Sequence, residues 1–172
     1  HKIIKNLLKK LNFPLAIPSA NISTKISPIS ALDVIDEFGK NINFVLDGGR
    51  SKIGLESTVI NLCGNVKIMR PGAISKKEIG KTLRKNISIS KKVNKLNSPG
   101  LLKKHYSPGI PIQLNCKKAD NKAAFIVFGK KYKKGKYIFN LSPKGNLKEA
   151  GKNLYKILRK VKNLNFKKIN VV

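Results

Sequence analysis

Acidic residues are scarce in this sequence. Its 172 residues include 8 Asp and Glu against 37 Lys and Arg. The few carboxylates have no spacing that could hold a metal ion by carboxylates alone, and Asp36 and Glu37 are helix neighbours that point in different directions. A hydrolase that works through two paired carboxylates is therefore not expected.

Histidine and cysteine are rarer still, with two of each. His1 and His105 leave a Ser/His/Asp triad without ordinary partners, and the sequence has no G-x-S-x-G segment. Cys63 and Cys116 lie far apart and show neither a metal-ligand spacing nor a disulfide framework. We interpret them as buried or inert thiols in a reducing compartment.

Long apolar runs are missing as well. No stretch reaches the roughly 20 residues of a membrane-spanning helix, and no signal peptide is recognisable, so we expect a cytoplasmic protein. The chain begins at His1 inside an amphipathic pattern and ends at Val172 inside an apolar, strand-like run. These ends predict a part of a longer protein.

Positive charge is abundant and comes almost entirely from lysine. The formal net charge of +29 favours polyanionic partners such as nucleic acids or nucleotide phosphates. Lysine is spread along the whole chain, however, which is typical of a solvated surface rather than of a dedicated nucleic-acid stripe. Both interpretations stay open from charge alone.

The first half of the chain has the pattern of an α/β domain. We predict helices over 1–12, from Ala31 to Gly39 and from the Ser75–Glu78 capping box to about Leu83. We predict strands over 14–17, 42–46, 57–62 and 66–69, the last two joined as a hairpin at Gly64 and Asn65. Ser27, followed by Pro28, is predicted to be the N-cap of the second helix.

The second half predicts a smaller α/β unit after an irregular segment. Residues 85–100 are rich in Lys, Asn and Ser without sustained periodicity, and several Pro and Gly residues follow. Strands are then predicted over 123–128, 137–139 and 168–172, with an amphipathic helix from about Leu147 to Leu164. A helix followed by a strand favours a parallel crossover.

Hydroxyl side chains gather at the predicted turns of the first half. Strand ends and helix starts are where open α/β sheets bind anions, because free backbone N–H groups and the helix dipole converge there. Locally, a capping role for Ser27 is favoured over ligand binding. Ser57 and Thr58 could equally be strand-forming residues, and Arg70 before Pro71 could be a solvated arginine or an oxyanion clamp.

Six segments in order resemble those of the YrdC-type threonylcarbamoyl-AMP synthases in their longer, two-domain form. They are PLAIPSANIS, SP before a helix, LDGG, GLESTVINL, RPGAIS and SPGLLKKHYSPGIP. The resemblance implies a YrdC-like twisted α/β domain over 1–86, a linker that acts as an active-site lid over 87–114, and a small Rossmann-like α/β domain over 115–172. Both domains would be partial, without the N-terminal part and the extreme C-terminus.

The resemblance also implies a reaction. A nucleotidyltransferase of this type makes L-threonylcarbamoyladenylate and pyrophosphate from L-threonine, bicarbonate and ATP, with Mg²⁺ on the phosphates. The product serves the threonylcarbamoyladenosine modification of tRNA beside the anticodon, so downstream tRNA-modification enzymes and tRNA itself are implied partners. This chemistry needs positioning and charge neutralisation rather than a protein nucleophile, which agrees with the missing triad.

Site residues follow from the resemblance, position by position. No catalytic nucleophile is implied, and no metal ligand. ATP contacts are implied for Ser19, Ser27, Arg70 and Tyr106, threonine contacts for Ile17 and Ser57, and site-shaping roles for Asn21 and Thr58.

The sequence also departs from the family pattern. Thr24 stands where the family usually has glycine, and Ile29 where it usually has threonine. The family's basic K-x-R motif and its R-x-P-x-H arginine would lie before His1, so we expect residues 1–172 alone to be inactive. The alternative from another class is a non-catalytic module with a YrdC-like fold that binds double-stranded RNA or tRNA.

Overall fold

The computed structural model describes residues 1–90 and 106–172, which form four helices and seven short strands. The helices are α1 (Lys2–Leu8), α2 (Ala31–Phe38), α3 (Lys76–Leu83) and α4 (Leu147–Asn163). The strands are β1 (Val59–Asn61), β2 (Lys67–Arg70), β3 (Ser88–Ile89), β4 (Ile112–Gln113), β5 (Ala124–Val127), β6 (Ile138–Asn140) and β7 (Ile169–Val171). The architecture is mixed α/β, as the sequence predicted.

The first sheet has three strands in the order β1, β2, β3. β1 and β2 form the predicted antiparallel hairpin, with Gly64 at a positive φ of 73° in its turn, and β3 adds in parallel to β2. Ile68, Ile79 and Ile87 form the small core beneath it. α3 begins with the predicted capping box, in which Ser75 and Glu78 bond each other's backbone N–H groups.

The second sheet has four strands in the order β4, β7, β5, β6, and all of its pairs are parallel. Every residue of β5 is buried, as expected for a central parallel strand. α4 connects β6 to β7, so the predicted helix crossover is confirmed. Asn146 caps the start of α4. Lysines occupy its last turn, where their positive charge interacts favourably with the negative end of the helix dipole.

Two predicted strands were wrong. Residues 14–17 and 42–46 form no regular strand, and several of their apolar side chains are exposed, including Ile17 at 66% and Phe44 at 94%. Both segments have strand-like composition, but a strand also needs a paired neighbour, and none of the described residues pairs with either segment. The predicted turn after residue 46 is present, because Asp47 accepts a hydrogen bond from the Gly49 N–H at 2.8 Å.

The predicted linker over 87–114 is joined to a sheet at each end. β3 pairs with the first sheet and β4 with the second, and neither strand was predicted. Both are two residues long, which is too short for alternation to show in the sequence. Residues 91–105, including His105, lie outside the described residues.

A second core is formed by side chains of α4, β5, β6 and β7, and it also contains residues from the first half of the chain. Ile26 and Ile29, which flank Ser27 and Pro28, are 3% and 5% exposed and pack with side chains of α4, β5, β6 and β7. None of the helices in 1–90 or 106–172 has the length and apolar character needed to cross a membrane.

Candidate functional site

Arg70, the last residue of β2, is the centre of the candidate site. Its Nε and Nη2 donate to the Ser57 carbonyl oxygen at 3.0 and 2.9 Å, and Nη2 also donates to Ser57 Oγ at 3.0 Å. Nη1 donates to the Tyr106 hydroxyl oxygen at 3.0 Å. Ser57 and Tyr106, both implied by the resemblance and 49 positions apart in the sequence, thus meet at Arg70, whose side chain is 12% exposed.

Glu56 is a member of this site that the sequence reasoning missed. Its carboxylate accepts a hydrogen bond from the Ser27 hydroxyl, and its Oε2 lies 3.9 Å from Arg70 Nη2. Glu56 therefore links the segment around Ser27 to the Arg70 cluster. A signal was present in the sequence, because Glu56 is one of only eight acidic residues and stands inside the GLESTV motif.

Ser27 is placed differently from its predicted role. Ser30, not Ser27, is the N-cap of α2, because its side chain accepts the Asp33 N–H. Ser27 lies three residues earlier in non-helical backbone, is 8% exposed and donates to Glu56. The Ser-Pro pair suggested a helix start, but the serine two residues after Pro28 satisfies the first-turn N–H groups instead.

Tyr106 forms one side of the site together with Tyr155 of α4. Their ring centroids are 6.0 Å apart with a 30° tilt. Burial, and then the nearby Glu56 carboxylate, raises the pKa of Tyr106, and the same two causes raise the pKa of Tyr155 far above its ordinary value of 10.0. Both phenols therefore stay neutral around pH 7, and Tyr106 can accept from Arg70 without becoming an anion.

Thr58 and Gly72 hold the backbone of this site. The Thr58 hydroxyl donates to the Ile74 carbonyl at 2.7 Å and accepts the Ile74 N–H at 3.1 Å. A Cβ added at Gly72 would lie 2.4 Å from Thr58 N and 2.5 Å from the Glu56 carbonyl oxygen. The RPG segment therefore needs glycine so that the chain can pass directly against the Glu56–Thr58 backbone.

Asn21 and Thr24 shape the segment before Ser27. The Asn21 amide donates to the carbonyls of Ile22 and Lys25, at 3.0 and 3.2 Å, and so closes the turn on itself. Thr24 has a φ of 73°, a conformation that glycine adopts without strain, which explains the family's preference at this position. Ile29, the other departure, is buried in the second core.

Ser19 and Ile17 are not joined to Arg70, Ser57 or Tyr106 by any hydrogen bond among the described residues. Both are exposed in a segment without regular structure. The structure thus brings together Ser27, Ser57, Arg70 and Tyr106 with the addition of Glu56, and Ser19 and Ile17 are exposed outside this set of contacts.

The arrangement is suited to polar recognition rather than to metal binding. Residues 1–90 and 106–172 contain no group of three or more His, Cys, Asp or Glu side chains that could hold a metal ion. The site offers a guanidinium group, hydroxyls and one carboxylate, which together match a ligand that carries both an anionic and a polar neutral part.

Two family models cover nearly the whole chain. A model described as "Telomere recombination", of the Sua5, YciO and YrdC group, matches residues 1–72. A model described as "Threonylcarbamoyl-AMP synthase, C-terminal domain" matches residues 74–172, which is more than half of the chain.

Curated relatives are named threonylcarbamoyl-AMP synthase. The chain is 38% identical to the protein of Pyrococcus abyssi over 117 residues, 38% identical to that of Schizosaccharomyces pombe over 124, and 34% identical to that of Bacillus subtilis over 119. These matches cover 65%, 66% and 66% of this chain, but only 34%, 30% and 34% of the relatives. The chain therefore spans about a third of the length of the curated relatives it matches.

Solved structures show the same fold. The crystal structure of P. abyssi Sua5 complexed with L-threonine matches with a TM-score of 0.79 and 29% identity, covering 99% of this chain and 56% of that one. A variant of that protein, in which a histidine and the tyrosine after it are replaced by alanine, matches with a TM-score of 0.73 and 27% identity, covering 99% and 55%.

Proposed function

The chain belongs to the Sua5 and YrdC-type threonylcarbamoyl-AMP synthase family, and from this premise we propose that it forms part of the active site of such a synthase. The proposed enzyme is a nucleotidyltransferase that converts L-threonine, bicarbonate and ATP to L-threonylcarbamoyladenylate and pyrophosphate. The observation that carries the proposal is the convergence of Ser57 and Tyr106 on Arg70.

The proposed reaction needs no covalent intermediate on the protein. The threonine amine combines with bicarbonate to give a carbamate, with loss of water. A carbamate oxygen then attacks the α-phosphorus of ATP, and pyrophosphate leaves. The protein's contribution is to hold the two reactants in line and to neutralise charge that develops on phosphate. A site built from one guanidinium group and several hydroxyls supports this role.

Arg70 and Ser57 are proposed to lie between the two substrates. Arg70 would contact the ATP phosphates and Ser57 would contact threonine. A guanidinium group already held by Ser57 keeps a fixed orientation, so less conformational entropy is lost when phosphate binds. The nearby Glu56 carboxylate offsets the positive charge while the site is empty of ATP.

Ser27, Ser19 and Ile17 are proposed to form the other side. Ser27 and Ser19 would contact ATP, and the backbone at Ile17 would contact threonine. Ser19 and Ile17 are exposed, so their segment is accessible to a ligand. Asn21 and Thr58 are proposed to shape the site through their bonds to backbone groups.

Tyr106 is proposed to belong to a lid that covers ATP and excludes water from the mixed anhydride product. In the solved variant of P. abyssi Sua5, a histidine and the tyrosine after it are replaced by alanine. This sequence has one His-Tyr pair, His105 and Tyr106, and Tyr106 bonds Arg70. We keep 1–86, 87–114 and 115–172 as the proposed catalytic domain, lid and small domain.

Mg²⁺ is proposed to arrive as the ATP complex. The described donor set lacks a cluster of acidic or imidazole ligands, so a phosphate-borne ion fits these residues better than a resident one. Bicarbonate is the proposed carbon source. Enzymes that transfer the threonylcarbamoyl group to tRNA, and tRNA itself, are the proposed downstream partners.

The test uses the complete protein that contains these residues and measures pyrophosphate release from ATP. We expect release to depend on both threonine and bicarbonate. Ser57→Ala should raise the KM for threonine about 10-fold, and Arg70→Ala should lower kcat/KM for ATP by about 100-fold, since each removes a charged or polar contact of roughly 1.5–3 kcal/mol.

Arg84→Gln serves as the matched control, because Arg84 is an exposed arginine at the end of α3. It should leave both constants unchanged. If Ser57→Ala and Arg70→Ala behaved like this control, the proposed site would be wrong. If pyrophosphate release ignored threonine, the proposed activity would be wrong.

A further inference from the structure

Helix α4 contacts both chain segments that form the candidate site, residues 54–57 and residues 25–29. A Cβ added at Gly54 would lie 2.8 Å from the Lys152 carbonyl oxygen, and one added at Gly151 would lie 2.7 Å from Leu55 Cδ1. The ring of Tyr155, one turn further along, lies beside that of Tyr106. The segment that carries Glu56 and Ser57 is therefore seated on one side of this helix.

Arg159 makes the corresponding contact with the segment that carries Ser27. Its Nη2 donates to the Ile26 carbonyl oxygen at 2.7 Å, across 133 residues of sequence. Its Nη1 lies 3.6 Å from Glu37 Oε2, and its Nε lies 3.9 Å from Asp33 Oδ1. The Arg159 side chain is 12% exposed, so the two carboxylates balance its charge where little water can reach it.

The partners of Arg159 are themselves bonded to the same segment. Asp33 accepts the Ile29 N–H at 2.9 Å, and Glu37 lies 3.4 Å from Lys25 Nζ. Glu37 is 3% exposed, and such a buried carboxylate needs nearby positive charge. Lys25, Ile26 and Ile29 are thus all tied, directly or through one carboxylate, to Arg159.

These contacts surround Ser27 on both sides in the sequence. Ile26 and Ile29 are buried in the second core, so the backbone of this segment has little freedom on the side away from the site. Ser27 Oγ donates a hydrogen bond to Glu56, and Glu56 Oε2 lies 3.9 Å from Arg70 Nη2. A continuous set of contacts runs from α4 to the residue proposed to contact ATP.

We infer that Arg159 is a positioning residue for the synthase, which fixes the Lys25–Ile29 backbone so that Ser27 meets ATP in the correct geometry. The inference deepens the proposed function and rests on it, since Ser27 is an ATP contact only there. Arg159 itself would touch neither substrate. Its removal is therefore expected to weaken ATP binding more than it slows the chemical step.

The test compares Arg159→Met, Arg159→Lys and Lys156→Met in the complete protein. Lys156 lies on the same helix with an exposed side chain, so its substitution removes one charge without touching the segment. Arg159→Met should raise the KM for ATP about 10-fold with kcat within about 3-fold of the wild type. Arg159→Lys keeps the positive charge but not the several N–H donors of the guanidinium group. Its KM for ATP should therefore lie between those of Arg159→Met and the wild type.

Backbone amide hydrogen exchange gives a readout that is independent of turnover. In Arg159→Met, the amides of residues 25, 26, 27 and 29 should exchange at least about 10-fold faster, while those of β5 stay protected. Lys156→Met should exchange like the wild type. A uniform rise across β5 as well would mean general destabilisation and would overturn the positioning role.

The outcomes also separate the two proposals. A lower kcat with unchanged KM in Arg159→Met, or unchanged exchange over 25–29, overturns the inference while leaving the synthase intact. If the wild-type protein shows no threonine-dependent turnover, the proposed function fails. The exchange data then still decide whether Arg159 fixes this segment. If Arg159→Met does not fold, Arg159→Lys carries the same measurements.

Discussion

Scarce carboxylates have distinct uses in this chain. Glu78 completes the cap of α3, Asp47 closes the turn before Gly49, and Glu149 receives the Ser142 hydroxyl near the start of α4. Glu56 joins Ser27 to Arg70, and Asp33 and Glu37 receive Arg159. In a chain of net charge +29, these acidic residues therefore mark turns, caps and two mostly buried arginines, Arg70 and Arg159.

Tyr106 offers the most specific prediction at the residue scale. Tyr106→Phe keeps the ring beside Tyr155 but removes the oxygen that accepts from Arg70 Nη1. We expect kcat/KM for ATP to fall about 5-fold, corresponding to about 1 kcal/mol for one hydrogen bond. Steady-state pyrophosphate release measures it, with Tyr132→Phe as the matched tyrosine control outside the site. Equal kinetics in the two variants would contradict the role given to this hydroxyl.

The raised pKa of Tyr155 predicts how the free energy of unfolding changes at high pH. Burial, followed by the charge of Glu56, raises the pKa of Tyr155 above its ordinary value of 10.0 in the folded chain. Above about pH 10 the unfolded chain therefore loses this proton while the folded chain keeps it, so the free energy of unfolding falls as the pH rises. Below that pH the contribution of Tyr155 is fully present.

Urea unfolding at about pH 8 and about pH 11 measures this effect, using the wild type and Tyr155→Phe. The wild type should lose more unfolding free energy between the two pH values than the variant does, since lysine titration is common to both. An equal loss would show that Tyr155 is not held neutral by its surroundings.

At the scale of elements, two backbone segments pass close to each other in the site. The turn after β2 passes so near to the Glu56–Thr58 segment that Gly72 has no room for a side chain. The sequence predicted a turn at RPG, but it did not indicate which backbone segment would lie against that turn. Such a contact joins residues that are distant in the chain, and local patterns carry no signal for it.

Gly72→Ala should therefore move the Glu56–Thr58 segment. We expect a loss of about 1–3 kcal/mol in unfolding free energy, the usual cost of overpacking, together with a drop in ATP-dependent turnover. Gly48→Ala is the control, because a Cβ there would meet its nearest neighbour, His1 Cε1, at an ordinary 3.4 Å. Chemical denaturation of both variants checks the prediction, and equal stability would contradict the crowding at Gly72.

Local patterns predicted the elements that carry their own signals. The capping box of α3, the Gly64 hairpin, the buried run of β5 and the amphipathic α4 all agree with the structure. Residues 14–17 and 42–46 had strand composition but no strand partner among the described residues. Likewise, hydroxyls and Arg70 were recognisable as candidates, whereas Glu56 and Arg159 are important through distant contacts that spacing does not reveal.

At the scale of the whole molecule, the second sheet is a support for the candidate site. Its core encloses Ile26 and Ile29, and its helix α4 contributes Tyr155 and Arg159 beside the two site segments. The part matched by one family model is thus packed into the core of the part matched by the other. We therefore expect the two halves to stabilise each other.

Ile26→Ala tests this dependence. Truncation of a fully buried isoleucine should lower the unfolding free energy by about 2–5 kcal/mol through lost contacts and a cavity. Leu32→Ala is the control, since Leu32 is 69% exposed, and it should change stability by less than about 0.5 kcal/mol. Similar values for the two variants would mean that Ile26 is not an anchor in the second core.

The most direct measurement of the central claim is the transfer of labelled carbon from bicarbonate into an adenylate by the complete protein that contains this chain. With threonine and ATP present, we predict labelled L-threonylcarbamoyladenylate in equal amount to the pyrophosphate released, and a loss of both in Arg70→Ala. Omission of threonine should abolish the labelled product. ATP cleavage that continues without threonine and leaves the label in bicarbonate would contradict the account.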